Sequence, residues 1–281
     1  MGSSFLPRVC ARRLRVLVPL LIGGLLSLPA QSATLLSSVL APSQNFELRQ
    51  WKLTLPSAAE VSPAELNSGF QYAEVFFTDP RTGGMVFRCP NLAVSTTNSQ
   101  YPRSELREML DPDNTSAKAT TNNWTPEQGG WLRAKLRIDQ VSTTGDDAKL
   151  GRVIIGQIHG PDTEPLRLYY VKKPGEKTGR LYAAIETMSG STYRSPDIVS
   201  NKDNAGIALG ENFTYQIKLY GTNLTVAIYR GDGRKHVFTR DIDSAYLGHN
   251  LYFKAGVYNQ NNTGDVSDYV QATFFILEHV H

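Results

Sequence analysis

The chain, 281 residues long, reads as an all-β protein, a sandwich or jelly roll of antiparallel sheets. Three observations predict this. Apolar and polar residues alternate over many short runs, Gly, Pro, Asn and Asp punctuate those runs, and helical periodicity is scarce.

Taken in chain order, the first segment is a leader. Arg8, Arg12, Arg13 and Arg15 precede an apolar run over residues 16–28, and the small residues Ala30, Ser32 and Ala33 follow. A positive start, a short apolar stretch and a small-residue exit mark a secretory signal peptide. Pro19 and the Gly23-Gly24 pair break the run, which is too short for a comfortable membrane span. The expectation is a secreted or periplasmic protein, with residues 1–33 the signal peptide, residues 34–281 one domain, and no membrane attachment after cleavage. A short helix is expected at Pro63–Asn67. Arg103 to Arg107 alternates as a strand, and residues 111–128, rich in Asp, Asn, Thr and Ser, read as a mobile surface loop. Leu132, Ala134, Leu136 and Ile138 then alternate with Arg133, Lys135 and Arg137, a one-sided strand. Residues 189–206 resemble the first loop. Phe213, Tyr215, Ile217 and Leu219 lead through Gly221-Thr222-Asn223 into Leu224, Val226 and Ile228, and Gly231-Asp232-Gly233 turns the chain again, a repeated hairpin signature. Residues 269–277 form a final strand.

Charge and cysteine content narrow the class. Removing four arginines and no acid turns the formal +3 into −1, so the basic balance of the whole chain says nothing about partners. Attraction for an acidic ligand must come from local clustering, and nucleic acid has no whole-domain charge behind it. Cys89 alone remains after the leader, so no internal disulfide is expected and the core must hold the fold. Cys89 itself reads as a small buried apolar residue.

Three short segments place polar groups where a strand normally buries apolar ones. Arg103, Glu105 and Arg107 share one face of Arg103-Ser104-Glu105-Leu106-Arg107. Gln157 and His159 share one face of Gln157-Ile158-His159. Tyr252, Lys254, Tyr258 and Gln260 share one face of the run from Tyr252 to Gln260, with Gly256 leaving a gap. If neighbouring strands bring these faces together, they make a cationic groove holding a tyrosine and a histidine, suited to a polyanionic substrate and to proton transfer.

These blocks resemble the three signature segments of polysaccharide lyase family 7, the alginate lyases. Trp51-Lys52-Leu53-Thr54-Leu55-Pro56 and Phe76-Phe77-Thr78-Asp79-Pro80 resemble that family too, so the likeness spans the mature chain. It implies a β-jelly roll with a concave substrate groove, an alginate oligo- or polysaccharide as the partner, and no cofactor. Cleavage is a β-elimination: the C5 proton leaves and the 4-O-linked sugar is expelled. The adjacent carboxylate makes C5 a poor acid, so the charge must be neutralised, a base must take the proton and an acid must protect the leaving oxygen. Arg103 suits the first task, because its guanidinium forks onto a carboxylate and keeps its charge, and Gln157 adds an amide donor. His159, with an ordinary pKa of about 6.5, supplies a neutral base near pH 7. Tyr258 starts near a pKa of about 10 and suits the acid; Arg103 and Lys254 would favour its phenolate and let it act as base too. The resemblance implies the same catalytic set, with the histidine as base on guluronate and the tyrosine doing both jobs on mannuronate. Glu105, Arg107, Tyr252, Lys254 and Gln260 are the expected substrate-binding residues. Ile158 is associated in the family with guluronate-containing blocks. Endolytic cleavage by a monomer is expected.

Weaker signals are given plain readings. Arg133, Lys135 and Arg137 are an exposed or groove-rim face. His236, His249, His279 and His281 are structural or surface residues, His279 and His281 lying at a frayed terminus. No metal site is expected, since no cysteine cluster or internal His-X-His occurs. The alternative function is a non-catalytic carbohydrate-binding jelly-roll module for acidic polysaccharide. A glycoside hydrolase needs two facing carboxyl groups, and Glu105 and Glu108 fall on opposite faces of their strand.

Overall fold

In the computed structural model, residues 1–2 and 35–281 are described; the signal-peptide expectation for residues 1–33 lies outside them. The strands are β1 (Trp51–Thr54), β2 (Glu60–Val61), β3 (Phe76–Thr78), β4 (Met85–Pro90), β5 (Arg103–Glu108), β6 (Gly130–Gln140), β7 (Arg152–His159) and β8 (Leu166–Val171), then β9 (Arg180–Glu186), β10 (Thr192–Arg194), β11 (Phe213–Tyr220), β12 (Asn223–Arg230), β13 (Lys235–Asp241), β14 (Tyr252–Asn259) and β15 (Tyr269–Val280). Two short α-helices, α1 (Pro42–Asn45) and α2 (Pro63–Asn67), precede β1 and β3. Ser62 caps α2 by accepting from the Glu65 amide, and Pro63 supplies the fixed φ of the first turn.

The strands form two antiparallel sheets packed face to face. The eight-stranded sheet runs β10-β9-β8-β7-β14-β5-β1-β2, and the seven-stranded sheet runs β13-β12-β11-β6-β15-β4-β3. This is the β-jelly roll the alternation predicts. The expected apolar rows line the space between the sheets: Leu132, Ala134, Leu136 and Ile138 from β6, and Phe213, Tyr215, Ile217 and Leu219 from β11, are all buried. Cys89 is buried and free, and burial pushes its thiol pKa up, as the apolar reading requires.

Strict alternation fails at one place that matters. On β7, Val153, Ile155 and Ile158 all face the core, while Ile154 packs on the opposite face with Tyr169, Tyr182 and Tyr258. An extra residue is needed between Ile155 and Ile158, and the ladder to β8 shifts register between Ile154 and Gly156. The Ile155 carbonyl accepts from the Tyr215 hydroxyl at 2.9 Å across the sandwich, and a Cβ at Gly156 would sit 2.9 Å from the same ring. The bulge thus turns Gln157 and His159 onto the outer face.

Two expectations about loops and termini are corrected. Residues 111–128 are not a loose surface loop, because Asn122 and Trp124 are buried. Asn122 donates to the Asn114 and Ser116 carbonyls, and Asn123 to those of Ala117 and Ala119. Nor is the C-terminal end frayed. His281 meets Glu108 at 2.8 Å and the Gly129 carbonyl at 2.9 Å, and His279 packs edge-on against Trp51.

Candidate active site

The three polar blocks fall on three adjacent strands. In β14, Lys254 pairs with Arg107 of β5 on one side and with Gln157 of β7 on the other, Tyr258 pairs with Arg103, and Tyr252 pairs with His159. Their side chains share the outer face of the eight-stranded sheet. Tight packing makes this possible at Gly256, which sits at φ +139 opposite Glu105. A Cβ there would lie 2.6 Å from the Ser104 carbonyl oxygen and 2.8 Å from the Glu105 Cα, so only glycine lets β14 approach β5.

Glu105 is the hub. Its buried carboxylate accepts from Gln157 Nε2 at 2.5 Å, Lys254 Nζ at 2.6 Å and Arg103 Nη1 at 3.1 Å. Burial opposes its ionisation, but Lys254 and Arg103 outweigh burial and hold the carboxyl below the usual range. Burial, then the nearby Arg103, pushes Lys254 down to about 8 despite the carboxylate. A buried carboxylate with three donors is costly to disturb, so Glu105 orients the cations and the amide.

Tyr258 and His159 flank this hub, and both feel the charges of Arg103 and Glu105. The Arg103 guanidinium stacks on the Tyr258 ring at 3.8 Å. The Tyr258 hydroxyl shares a 2.8 Å hydrogen bond with Ser99 Oγ, which also contacts the Tyr101 carbonyl at 3.0 Å and accepts from Arg103 Nη2 at 2.9 Å. A serine hydroxyl has one proton. With that proton on the Tyr101 carbonyl, the phenol is the donor to Ser99. Burial raises the Tyr258 pKa, and it prevails over the opposing pull of Arg103 and Ser99. Arg103 pulls toward the phenolate, as expected from sequence, but burial outweighs it and the phenol keeps its proton.

His159 is equally committed. Its Nδ1 lies 2.6 Å from the Gly160 carbonyl, which can only accept, so Nδ1 carries the proton and Nε2 keeps a lone pair. Burial first, then Lys254, lowers its pKa to about 3. Nε2 lies 3.5 Å from Glu164 Oε1. Burial and the adjoining Glu186 raise Glu164 to about 7, so the contact joins two groups that resist charging rather than an ion pair. The Tyr252 ring stacks on His159 at 5.1 Å and 10°.

Two of the expected binding residues are engaged elsewhere. Arg107 stacks on Tyr252 at 3.9 Å, but both its Nη atoms donate to protein: Nη1 to the Glu108 and Asn122 carbonyls, Nη2 to the Ala117 carbonyl and Asn123 Oδ1. It is a clamp holding residues 117–123 to the sheet, not a free substrate ligand. Gln260 lies just beyond β14, where its Oε1 accepts from the Tyr169 hydroxyl at 3.3 Å while its Nε2 is buried without a partner among the described residues. Ser99 and Glu164 were not expected from sequence; both come from loops, where no alternation signals a face. Glu105 and Glu108 do face opposite ways, since Glu108 points inward and accepts from Trp124 Nε1 at 2.9 Å and His281 at 2.8 Å. Among the described residues no His, Cys, Asp and Glu group has metal-binding geometry.

An antiparallel jelly roll presenting arginine, lysine, glutamine, a neutral histidine and a protonated tyrosine on one sheet face has the make-up of an acid–base enzyme acting on anionic carbohydrate. The comparisons with known proteins agree. The family described as alginate lyase matches residues 46–281. An alginate lyase of Klebsiella pneumoniae is 38% identical, over 92% of this chain and 95% of its own; a crystal structure of an alginate lyase from Klebsiella pneumoniae, also 38% identical, matches with a TM-score of 0.81, covering 86% of this chain and 98% of that one. Alginate lyase A1-II′, a member of polysaccharide lyase family 7, is 29% identical with a TM-score of 0.70, covering 86% and 98%. An alginate lyase of Pseudomonas aeruginosa is 30% identical with a TM-score of 0.67, covering 83% and 99%. The chain belongs to polysaccharide lyase family 7, the alginate lyases.

Proposed function

We propose that the protein is a secreted, endolytic alginate lyase that prefers guluronate-containing blocks. Arg103 and Gln157 neutralise the C5 carboxylate of the bound uronate while Glu105 and Lys254 hold them in place. His159 Nε2 takes the C5 proton, the C5–H electron pair becomes the C4–C5 double bond, the C4–O bond breaks, and the Tyr258 hydroxyl gives its proton to the departing oxygen. Atoms and charge balance, with one proton gained by His159 and one lost by Tyr258.

The observation carrying this reading is the paired protonation of the two flanking groups. An imidazole held neutral and a phenol held protonated are poised as separate base and acid. That pairing suits guluronate, where proton and leaving group depart from opposite faces. Mannuronate needs Tyr258 in both roles, hence as a phenolate, and burial works against that state. A family-7 relative with a histidine replaced by asparagine and a tyrosine by phenylalanine was captured with a substrate, which fits one residue of each type in catalysis. A carbohydrate-binding module would share the face but has no use for the acid–base pair.

Tyr258→Phe should keep the fold and cut turnover by about 10²–10⁴, read as ultraviolet absorbance of the unsaturated product. Nearly full activity would remove the acid assignment. His159→Ala should lose polyguluronate cleavage far more than polymannuronate cleavage, and equal losses would reject separate bases. Chain lengths of the products test the endolytic mode, and N-terminal sequencing of protein recovered from the medium tests secretion.

A further inference from the structure

The other sheet carries a cleft that this chemistry does not use. Two depressions, of about 570 and 560 Å³, adjoin on the outer face around β3 and β4, and Phe77 and Arg88 line both. Arg88 donates through Nε to Gln271 Oε1 at 2.8 Å and lies 4.4 Å over the Tyr269 ring. That contact fixes the plane of the guanidinium and leaves its two Nη groups without a protein partner among the described residues. The remaining charges of the larger depression sort themselves. Arg137 holds Asp79 at 2.9 Å and Asp139 at 2.5 Å, and Thr273 also donates to Asp139, so this trio is committed to itself and carries one net negative charge that Arg81 faces. Arg81 is exposed at the rim, 3.8 Å from Asp79. Glu74, in the smaller depression, is the acid without such a tie.

From this cleft the β6 row Arg137, Lys135 and Arg133 continues along the outer face of the sheet. Only Arg133 meets an acid loosely, Glu278 at 3.6 Å, and Lys135 has no ion-pair partner among the described residues. An oriented guanidinium and the Phe77 ring at the junction of two depressions, with Lys135 and Arg133 leading away, fit a uronate chain: the fork takes a carboxylate and the Phe77 ring takes a sugar face.

We propose that the Phe77–Arg88 cleft is a second, non-catalytic binding site for a uronate oligosaccharide segment, on the sheet opposite the catalytic one. The site rests on the polyuronate reading of the substrate. It holds one stretch of a long chain while the catalytic face works on another, raising the effective concentration of cleavable bonds near the enzyme.

Titration calorimetry on Tyr258→Phe protein with a saturated tetrauronate tests this. Two molecules should bind per chain, and one in the Tyr258→Phe/Arg88→Gln double variant, with residual outer-site affinity lowered about tenfold or more. Arg88→Gln alone should cleave short oligosaccharides at the wild-type rate, which also reports an intact fold, yet be retained several-fold less in alginate affinity gels. One molecule bound per chain with or without Arg88, or unchanged retention, overturns the proposal. Should Arg88→Gln not fold, Lys135→Gln in the same gels replaces it, and unchanged retention has the same meaning. Failure of the catalytic reading looks different: the wild-type protein would then yield no unsaturated product, whatever Arg88 does to binding.

Discussion

Lys254 shows how one side chain couples charge to turnover. It is buried against Glu105 with its pKa lowered to about 8, so a modest rise in pH removes a cation that the proposed mechanism uses to hold Arg103 and Gln157 on the substrate carboxylate. kcat/KM on polyuronate should fall as pH rises through about 8, and Lys254→Arg should move that limb upward, because a guanidinium does not titrate there. The sign for stability is opposite. The folded pKa lies below the ordinary 10.5, so between roughly 8 and 10.5 the unfolded chain binds more protons and this group alone favours folding as pH rises. A melting curve should therefore show no loss of fold from Lys254 where activity falls; parallel losses of Tm and activity would argue against it. At this scale much was legible from sequence. Period two put Arg103, Glu105 and Arg107, and separately Gln157 and His159, on common faces, which the register then joined. What could not be read was which partner each side chain takes. The Arg107 donors go to carbonyls of residues 108, 117 and 122, and no pattern in the sequence announces a carbonyl. Ser99 escaped notice because a loop serine lacks a period.

Among the elements, β14 and β7 carry the irregularities that aim the site. The chain at 256 combines a left-handed φ with backbone contact to β5. Gly256→Ala should cost roughly 2 kcal/mol or more, since unfavourable φ alone costs about 1–3 kcal/mol and the added methyl must push Ser104 or Glu105 aside. Chemical denaturation would register the loss, and activity should fall beyond it because Glu105 orients the cations. A variant with wild-type stability and rate would show that the contact relaxes freely. The glycine was visible in the sequence as a gap between Lys254 and Tyr258, but not the reason for it. The β7 bulge was hidden for a related reason: its carbonyl at Ile155 is held by a Tyr215 hydroxyl reaching from the facing sheet, and a strand read alone always looks regular. Residues 111–128 were misread as loose because Asn and Asp usually mean solvent, whereas here Asn122 and Asn123 spend their amides closing the turn from inside.

For the whole molecule, sheet-to-sheet attachment is more polar at one end than alternation suggests. Glu108 of β5, His281 beyond β15 and Trp124 meet inside the sandwich. Burial opposes charging of His281, but Glu108 and the Gly129 carbonyl prevail and raise its pKa, while burial lowers that of neighbouring His279. A histidine whose folded pKa is raised adds stability below its ordinary value near 6.5, and that gain is lost as pH rises through the folded pKa. Thermal melts at pH 6 and pH 9 should therefore differ more for the wild type than for His281→Gln. That variant should also be less stable at pH 6 by roughly 1–3 kcal/mol, the usual cost of an unpaired buried acceptor. Identical pH profiles would rule the pair out as a source of stability.

The strand order carries a consequence for how the enzyme comes into being. β5 hydrogen-bonds to no strand made just before or after it, but is wedged between β1 and β14, so its cations meet their histidine and tyrosine only through a piece of chain synthesised near the end. No amino-terminal fragment can hold a working catalyst. Such distant pairings are slow to find, and with Cys89 unable to pin an intermediate, arrival of the last two strands should be the step at which hydrolysable tails become resistant to protease and activity appears in one event.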